Sequence, residues 1–141
     1  MTPKQRAEQS AAALWAADHV SQNLGFEIIN VEEGQAALRM VVREAHCNGH
    51  GICHGGITFT LADSAFAFAC NSRNQATVAQ HNSITYLAAA QMGDVLTAVA
   101  QEVCLSGRSG IYDVRVSNQE NVAIAVFRGA SRQIKDTVFK E

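Results

Sequence analysis

The stretch from Ile57 to Cys70 is mostly apolar and carries one charge, Asp63, which is also the only Asp, Glu, Lys or Arg between Glu44 and Arg73. The run is too long for a strand and too uniformly apolar for a surface helix. At 100° per residue, Phe59, Thr60, Phe66, Ala67 and Cys70 share the Asp63 face, while Ile57, Leu61, Ala65 and Phe68 lie opposite. Both faces are apolar, so a helix over about 56–72, buried all round, is expected. A buried, unpaired carboxylate costs of order several kcal/mol before its pKa adjusts. Asp63 is therefore either in use, or satisfied by a backbone donor or by Thr60 and Ser64.

The flanking segments give this helix its setting. Ala-rich sequence with Leu14, Trp15, Asp18 and His19 at helical spacing predicts an N-terminal helix over about 5–22, stopped by Gly25. Short strands are expected at 26–30 and 35–42, and four more follow the long helix, at 76–87, 94–105, 111–117 and 122–133. Gly93-Asp94, Ser106 to Gly110 and Asn118 to Asn121 supply the turns. One buried helix followed by consecutive strands points to an α+β fold, an antiparallel sheet wrapped around a central helix, in a single domain over 1–141. Such a sheet leaves edges or a face open, so a dimer is expected.

Composition narrows the partners. The formal net charge of −2 argues against nucleic acid or an anionic membrane surface. No stretch reaches the roughly 20 apolar residues of a membrane span, and the polar Met1 to Arg6 has no apolar segment of an export signal behind it. Four cysteines are then expected as free thiols in the cytoplasm.

The long helix is preceded by Asn48-Gly49-His50-Gly51-Ile52-Cys53-His54-Gly55-Gly56. The first N–H groups of a helix have no internal partner and sit at the positive end of its dipole, a site for negative charge developing on oxygen. The bland reading of His54-Gly55-Gly56 is a tight turn. Eight residues separate Gly55 from Asp63, about 12 Å of helix. An oxyanion donor and a base or nucleophile must both lie about 3 Å from one carbonyl, so a single helix cannot easily supply both. A second helix running antiparallel across a two-fold axis can, and the site is expected to be composite.

Other chemistries fit less well. His46, Cys47, His50, Cys53 and His54 have the composition of a metal cluster but not the paired knuckle spacing, and no metal or cofactor is expected. The loop lacks the third glycine of a dinucleotide motif, and there is no Gly-x-Ser-x-Gly elbow. Nothing places a base beside any cysteine. Arg108, Arg128 and Arg132 lie near the ends of the last strands, as solvated surface charge or as a phosphate-contacting rim.

Together, Asn48-Gly49-His50, His54-Gly55-Gly56 and Leu61-Ala62-Asp63-Ser64-Ala65-Phe66-Ala67 carry a pattern that resembles the hotdog-fold acyl-CoA thioesterases of the PaaI type, the phenylacetate-degradation thioesterases. The resemblance runs from about Leu24 to Arg132, through Asn71, Gly93-Asp94, Ile111 to Val114 and Val126 to Gly129. It implies a long helix wrapped by an antiparallel sheet, homodimers with two shared active sites, and tetramers of two dimers. It further implies hydrolysis of aryl- or phenylacetyl-CoA thioesters to the free acid and coenzyme A. Carried over by position, the Gly55 N–H polarises the thioester carbonyl, and Asp63 of the other chain is nucleophile or general base. Asn48 orients water or the carboxylate, and His54 holds the loop and the thioester end. Gly56, Arg108, Ser109 and Gly110 complete the expected substrate contacts. Two departures stand out: Ala88-Ala89-Ala90 where members often have proline, and Ala67 where some aryl-CoA thioesterases have threonine. A hydratase or dehydratase on the same architecture, and a non-catalytic acyl-CoA-binding module, are the alternatives.

Overall fold

The structure is a computed structural model describing residues 1–141. Thr2 starts the first helix, α1 (Pro3–Ala17), with a reciprocal cap: its hydroxyl accepts the Gln5 N–H at 3.1 Å, and the Gln5 side chain accepts the Thr2 N–H at 2.8 Å. The expected helix over 5–22 is in fact two. Asp18 leaves helical geometry, and its carboxylate accepts from the N–H and hydroxyl of Ser21 at 3.0 and 2.6 Å, starting α2 (His19–Asn23). An aspartate that competes for backbone donors breaks a helix more readily than apolar spacing can sustain it.

Strands β1 (Glu27–Glu32) and β2 (Gln35–Val41) form a hairpin, and a glycine-rich loop then leads into the long helix α3 (Gly55–Cys70). Four strands follow: β3 (Thr77–Tyr86), β4 (Val95–Ser106), β5 (Ser109–Ser117) and β6 (Ala123–Gln133). All pairings are antiparallel, in the order β1-β2-β4-β5-β6-β3. β1 and β3 are thus the sheet edges, and β1 is covered by α1.

Helix α3 lies across the concave face of this sheet. Alternation aims Leu38 and Met40, Leu96, Ala98 and Ala100, Val114 and Val116, and Ala125 and Phe127 into one core with Leu61, Ala65 and Phe66. Gly129 of β6 lets the helix come close, since a Cβ there would stand 2.8 Å from the Phe66 ring. The C-terminal end of α3 is anchored to β3 through Asn71, which donates to the Thr77 carbonyl at 3.0 Å and accepts its N–H at 2.9 Å. Arg73 just beyond ties Glu33 to Glu102 at 2.9 and 2.6 Å.

The expectation of a helix buried all round needs correcting. Gly56, Thr60, Asp63, Ser64 and Ala67 form a face of α3 on which no residue is buried. Periodicity reports how apolar a face is; it does not report whether anything covers it.

Candidate active site

The start of α3 is set by His54, the residue before its first turn. The ring Nδ1 accepts the Gly56 N–H at 2.9 Å, and the His54 N–H donates to the His46 carbonyl at 2.8 Å. With Nδ1 accepting, the neutral ring carries its proton on Nε2. The Gly56 amide is thereby engaged, and the Gly55 N–H is left as the free donor at this end of the helix. The glycine is required by its neighbour: a Cβ on Gly55 would stand 3.0 Å from the Tyr86 ring, whose hydroxyl donates to the Gly55 carbonyl at 2.7 Å.

Asn48 shapes the preceding loop. Its side-chain oxygen accepts the N–H groups of His50 and Ile52 at 3.0 and 3.4 Å, which leaves its amide nitrogen uncommitted. Asn48, Gly55, Tyr86 and Leu87 line a cavity of about 340 Å³ together with Ala88, Ala89 and Ala90. The three alanines thus wall the space beside the helix start.

Asp63 opens onto a different cavity, of about 440 Å³, lined by Ala13, Leu14, Ala17, Ala67, Phe68, Val78 and Ala79 among others. Neither Thr60 nor Ser64 holds its carboxylate. The Thr60 hydroxyl donates to the Gly56 carbonyl at 2.8 Å, and Ser64 pairs with Ser21 at 2.9 Å. The partner of Asp63 is Asn82 of β3, whose Nδ2 donates to Oδ1 at 3.1 Å. Burial pushes the Asp63 carboxyl above the usual range, the Asn82 bond pulls it down, and the nearby Asp18 charge raises it again.

One chain therefore brings Asn48, His54 and Gly55 together but not Asp63, which lies eight residues along the helix, about 12 Å away. Arg108, Ser109 and Gly110 lie at the β4–β5 turn, beside the Thr77 end of β3 and far from Tyr86. Gly110 is buried; a Cβ on it would meet the Ser131 hydroxyl at 2.8 Å. Arg128 is not at a strand end: it sits mid-strand on the outer sheet face, in a two-bond pair with Asp113 at 2.7 and 2.9 Å. Arg108, in the turn, and Arg132, on β6, form no ion pair and are close together, since Ser109 pairs with Arg132 and the Gln133 N–H donates to the Arg108 carbonyl at 2.8 Å.

The histidines and cysteines of the loop do not converge on a metal-binding group. The His46 ring is held by the Arg43 N–H at 2.9 Å and the Leu24 carbonyl at 2.9 Å. Cys47, Cys53, Cys70 and Cys104 are free thiols, and burial pushes Cys70 up to about 12. Two residues absent from the sequence reading stand in the site, Tyr86 and Asn82. Tyr86 follows a strand pattern without any signal of its own. Asn82 is a polar residue turned inward, but a break in register between Ala79 and His81 defeats simple alternation.

Comparison with known proteins bears on the family and the fold. The family model of the thioesterase superfamily matches residues 50–125. The chain is 42% identical to the acyl-coenzyme A thioesterase PaaI of Escherichia coli K12 over 136 residues, covering 96% of this chain and 97% of that one. The solved structure of the E. coli PaaI protein, from the phenylacetic acid degradation operon, superposes with a TM-score of 0.94 at 41% identity, over 96% of this chain and 99% of that one. A hypothetical thioesterase from Streptococcus pneumoniae, solved with coenzyme A, superposes with a TM-score of 0.77 at 26% identity, over 80% and 91% of the two chains.

Proposed function

The chain belongs to the thioesterase superfamily, and on that premise we propose that it hydrolyses acyl-coenzyme A thioesters with aryl or phenylacetyl-type acyl groups, hydroxyphenylacetyl among them. The products are the free acid and coenzyme A. The observation that carries the reading is Asp63, a carboxylate on the open face of α3 beside an apolar cavity of about 440 Å³. Pockets of a few hundred Å³ lined by apolar side chains suit a small aromatic group.

The chemistry needs two parts. The thioester oxygen accepts from the Gly55 N–H at the positive end of α3, which stabilises the charge that develops as the carbonyl becomes tetrahedral. Asp63 either takes a proton from the water that attacks that carbon, or attacks it and forms an anhydride that water then hydrolyses to free the acid and the carboxylate. In both routes the coenzyme A sulfur leaves with the bonding pair and is protonated. Asn48 and His54 hold the loop so that the Gly55 N–H points outward.

Since about 12 Å of helix separates these parts, Asp63 serves the helix start of a second copy. The β3 edge supports this: it is unpaired, and Val78 and Tyr86 on that strand are about half exposed, at 45% and 49%. In an antiparallel β3–β3 pairing the Thr77 end of one chain lies beside the Tyr86 end of the other. That brings Arg108, Ser109 and Arg132 of one chain toward Gly55 of the other, where the two unpaired guanidiniums suit coenzyme A phosphates. Two such dimers make the expected tetramer. Free thiols and a coenzyme A substrate fit a reducing cytoplasm.

The test is thiol release from a panel of acyl-CoAs, followed with a thiol reagent, for wild type and Asp63→Asn. Aryl and phenylacetyl thioesters are expected to turn over fastest, and the variant to lose activity by at least about two orders of magnitude. Saturable binding with no thiol released from any thioester overturns the enzymatic reading. A preference for straight-chain acyl groups overturns the aryl assignment alone.

A further inference from the structure

We infer that Asn82 is the positioning residue for Asp63: its side-chain amide fixes the carboxylate so that Oδ2 stays open toward the reacting group. The inference rests on Asp63 being the reacting carboxylate and extends that role to a second element, β3.

The geometry is one-sided. The bond from Asn82 Nδ2 to Asp63 Oδ1, at 3.1 Å, is the one hydrogen bond this carboxylate receives. An ionised carboxylate only accepts, so the amide must turn its NH2 toward Asp63; the opposite orientation sets two acceptors against each other. The consequence is visible on the other side of the amide, where Asn82 Oδ1 is buried and has no donor. A buried acceptor without a partner is destabilising. For packing alone, an apolar side chain would avoid that cost. Its retention here is explained by the hold on Asp63.

The fold brings Asn82 to this place by two irregularities. The register break between Ala79 and His81 shifts the alternation of β3, so that Asn82 and Ile84 face inward while Gln80 and His81 are exposed. Asn82 pairs across the sheet with Gly129, the residue that admits the Phe66 ring one turn beyond Asp63. Strand and helix therefore approach closely at this level.

The surroundings explain why the carboxylate needs a donor. From α1 the neighbours lining the cavity are Ala13, Leu14 and Ala17, and from β3 they are Thr77, Val78 and Ala79, none of them charged. The titratable groups facing it are Asp18, at the junction of α1 and α2, and the Cys70 thiol on α3. No cation stands among them. Asn82 is the one group that opposes burial and the Asp18 charge, both of which favour the protonated acid.

The experiment is the pH dependence of kcat/KM for wild type, Asn82→Leu and Asn82→Ala, with thermal melting as a control for folding. Losing the donor raises the Asp63 pKa, so the acid limb should move up by about one pH unit. On the acid side of the limb kcat should fall about tenfold with KM little changed, and activity should recover as pH rises. Asn82→Ala covers the case in which leucine crowds α3, and a carbon-13 titration of the Asp63 carboxyl reads the same shift without turnover. An unmoved acid limb and an unmoved carboxyl titration overturn the assignment. Asp63→Asn separates the two readings. If it keeps activity, the role of Asp63 fails; if it is inactive while the Asn82 variants titrate like wild type, only the role of Asn82 fails.

Discussion

One side of α3 carries Leu61, Ala62, Ala65, Phe66 and Ala69, all buried, and the other carries Gly56, Thr60, Asp63, Ser64 and Ala67, none of them buried. Both sides consist mainly of small or apolar residues, yet they answer to different demands. The buried side is complementary to a sheet that the same chain provides, with Phe66 against Tyr112 and Phe127 at 5.6 and 5.8 Å between ring centres. The open side is only partly covered, by single hydrogen bonds from Ser21 and Asn82 and across a cavity from α1, and the acid lies there. A helix can thus use one face to fold and leave the other free for the substrate and second copy proposed above.

Four changes separate the tasks of the two faces. Asp63→Asn should have the largest effect on activity, about two orders of magnitude or more, without a loss of stability. The sign follows from linkage: burial raises the folded-state pKa of Asp63, so its favourable contribution is present below the unfolded value and lost as pH rises through the folded one. Removing the charge should leave the melting temperature at pH 7 equal or higher; a large drop would make Asp63 a structural acid.

Leu61→Ala should do the converse. It truncates a fully buried side chain and should cost about 2–5 kcal/mol in denaturant unfolding. The molecules that stay folded should retain their turnover. An equal loss of kcat would mean the two faces are not separable.

Gly55→Ala keeps the N–H but presses a methyl toward the Tyr86 ring, and should lower kcat about tenfold. Mixed and reassembled with Asp63→Asn in equal amounts, it should restore about a quarter of wild-type activity. Half of the dimers are then hybrids, each with one site that draws its Gly55 and its Asp63 from the intact halves of two chains. Activity that stays at the average of the two parents would place the whole site within one chain.

The smallest effect is expected at the rim. Arg108→Ala should raise KM for acyl-CoA a few-fold, leave kcat alone and weaken the salt dependence of KM. Unchanged KM would remove Arg108 from the phosphate contacts.

What could be read in the sequence was local. A lone charge in an apolar helix and a His-Gly-Gly at its start are neighbours along one chain, and helical rise alone gives their separation. The break at Asp18 was also local, an aspartate three residues before a serine whose N–H and hydroxyl it takes, but helical spacing on both sides concealed it. Asn82 was out of reach for a physical reason. It meets Asp63 across nineteen residues of sequence, and a register break in β3 turns it inward against the strand's simple alternation. Arg128 reads as a free end charge until the sheet register sets it beside Asp113.

The sequence by itself determined the long helix, the antiparallel strands around it, and the placement of one acid about 12 Å from a helix start. Those follow from periodicity and rise, which depend on near neighbours. Only the tertiary structure decided which face of α3 is covered, that the two cavities are distinct, and that Asp63 is held by an amide from β3 rather than by its own helix. These depend on which strands pair and in what register, and that choice is made by packing the whole core at once.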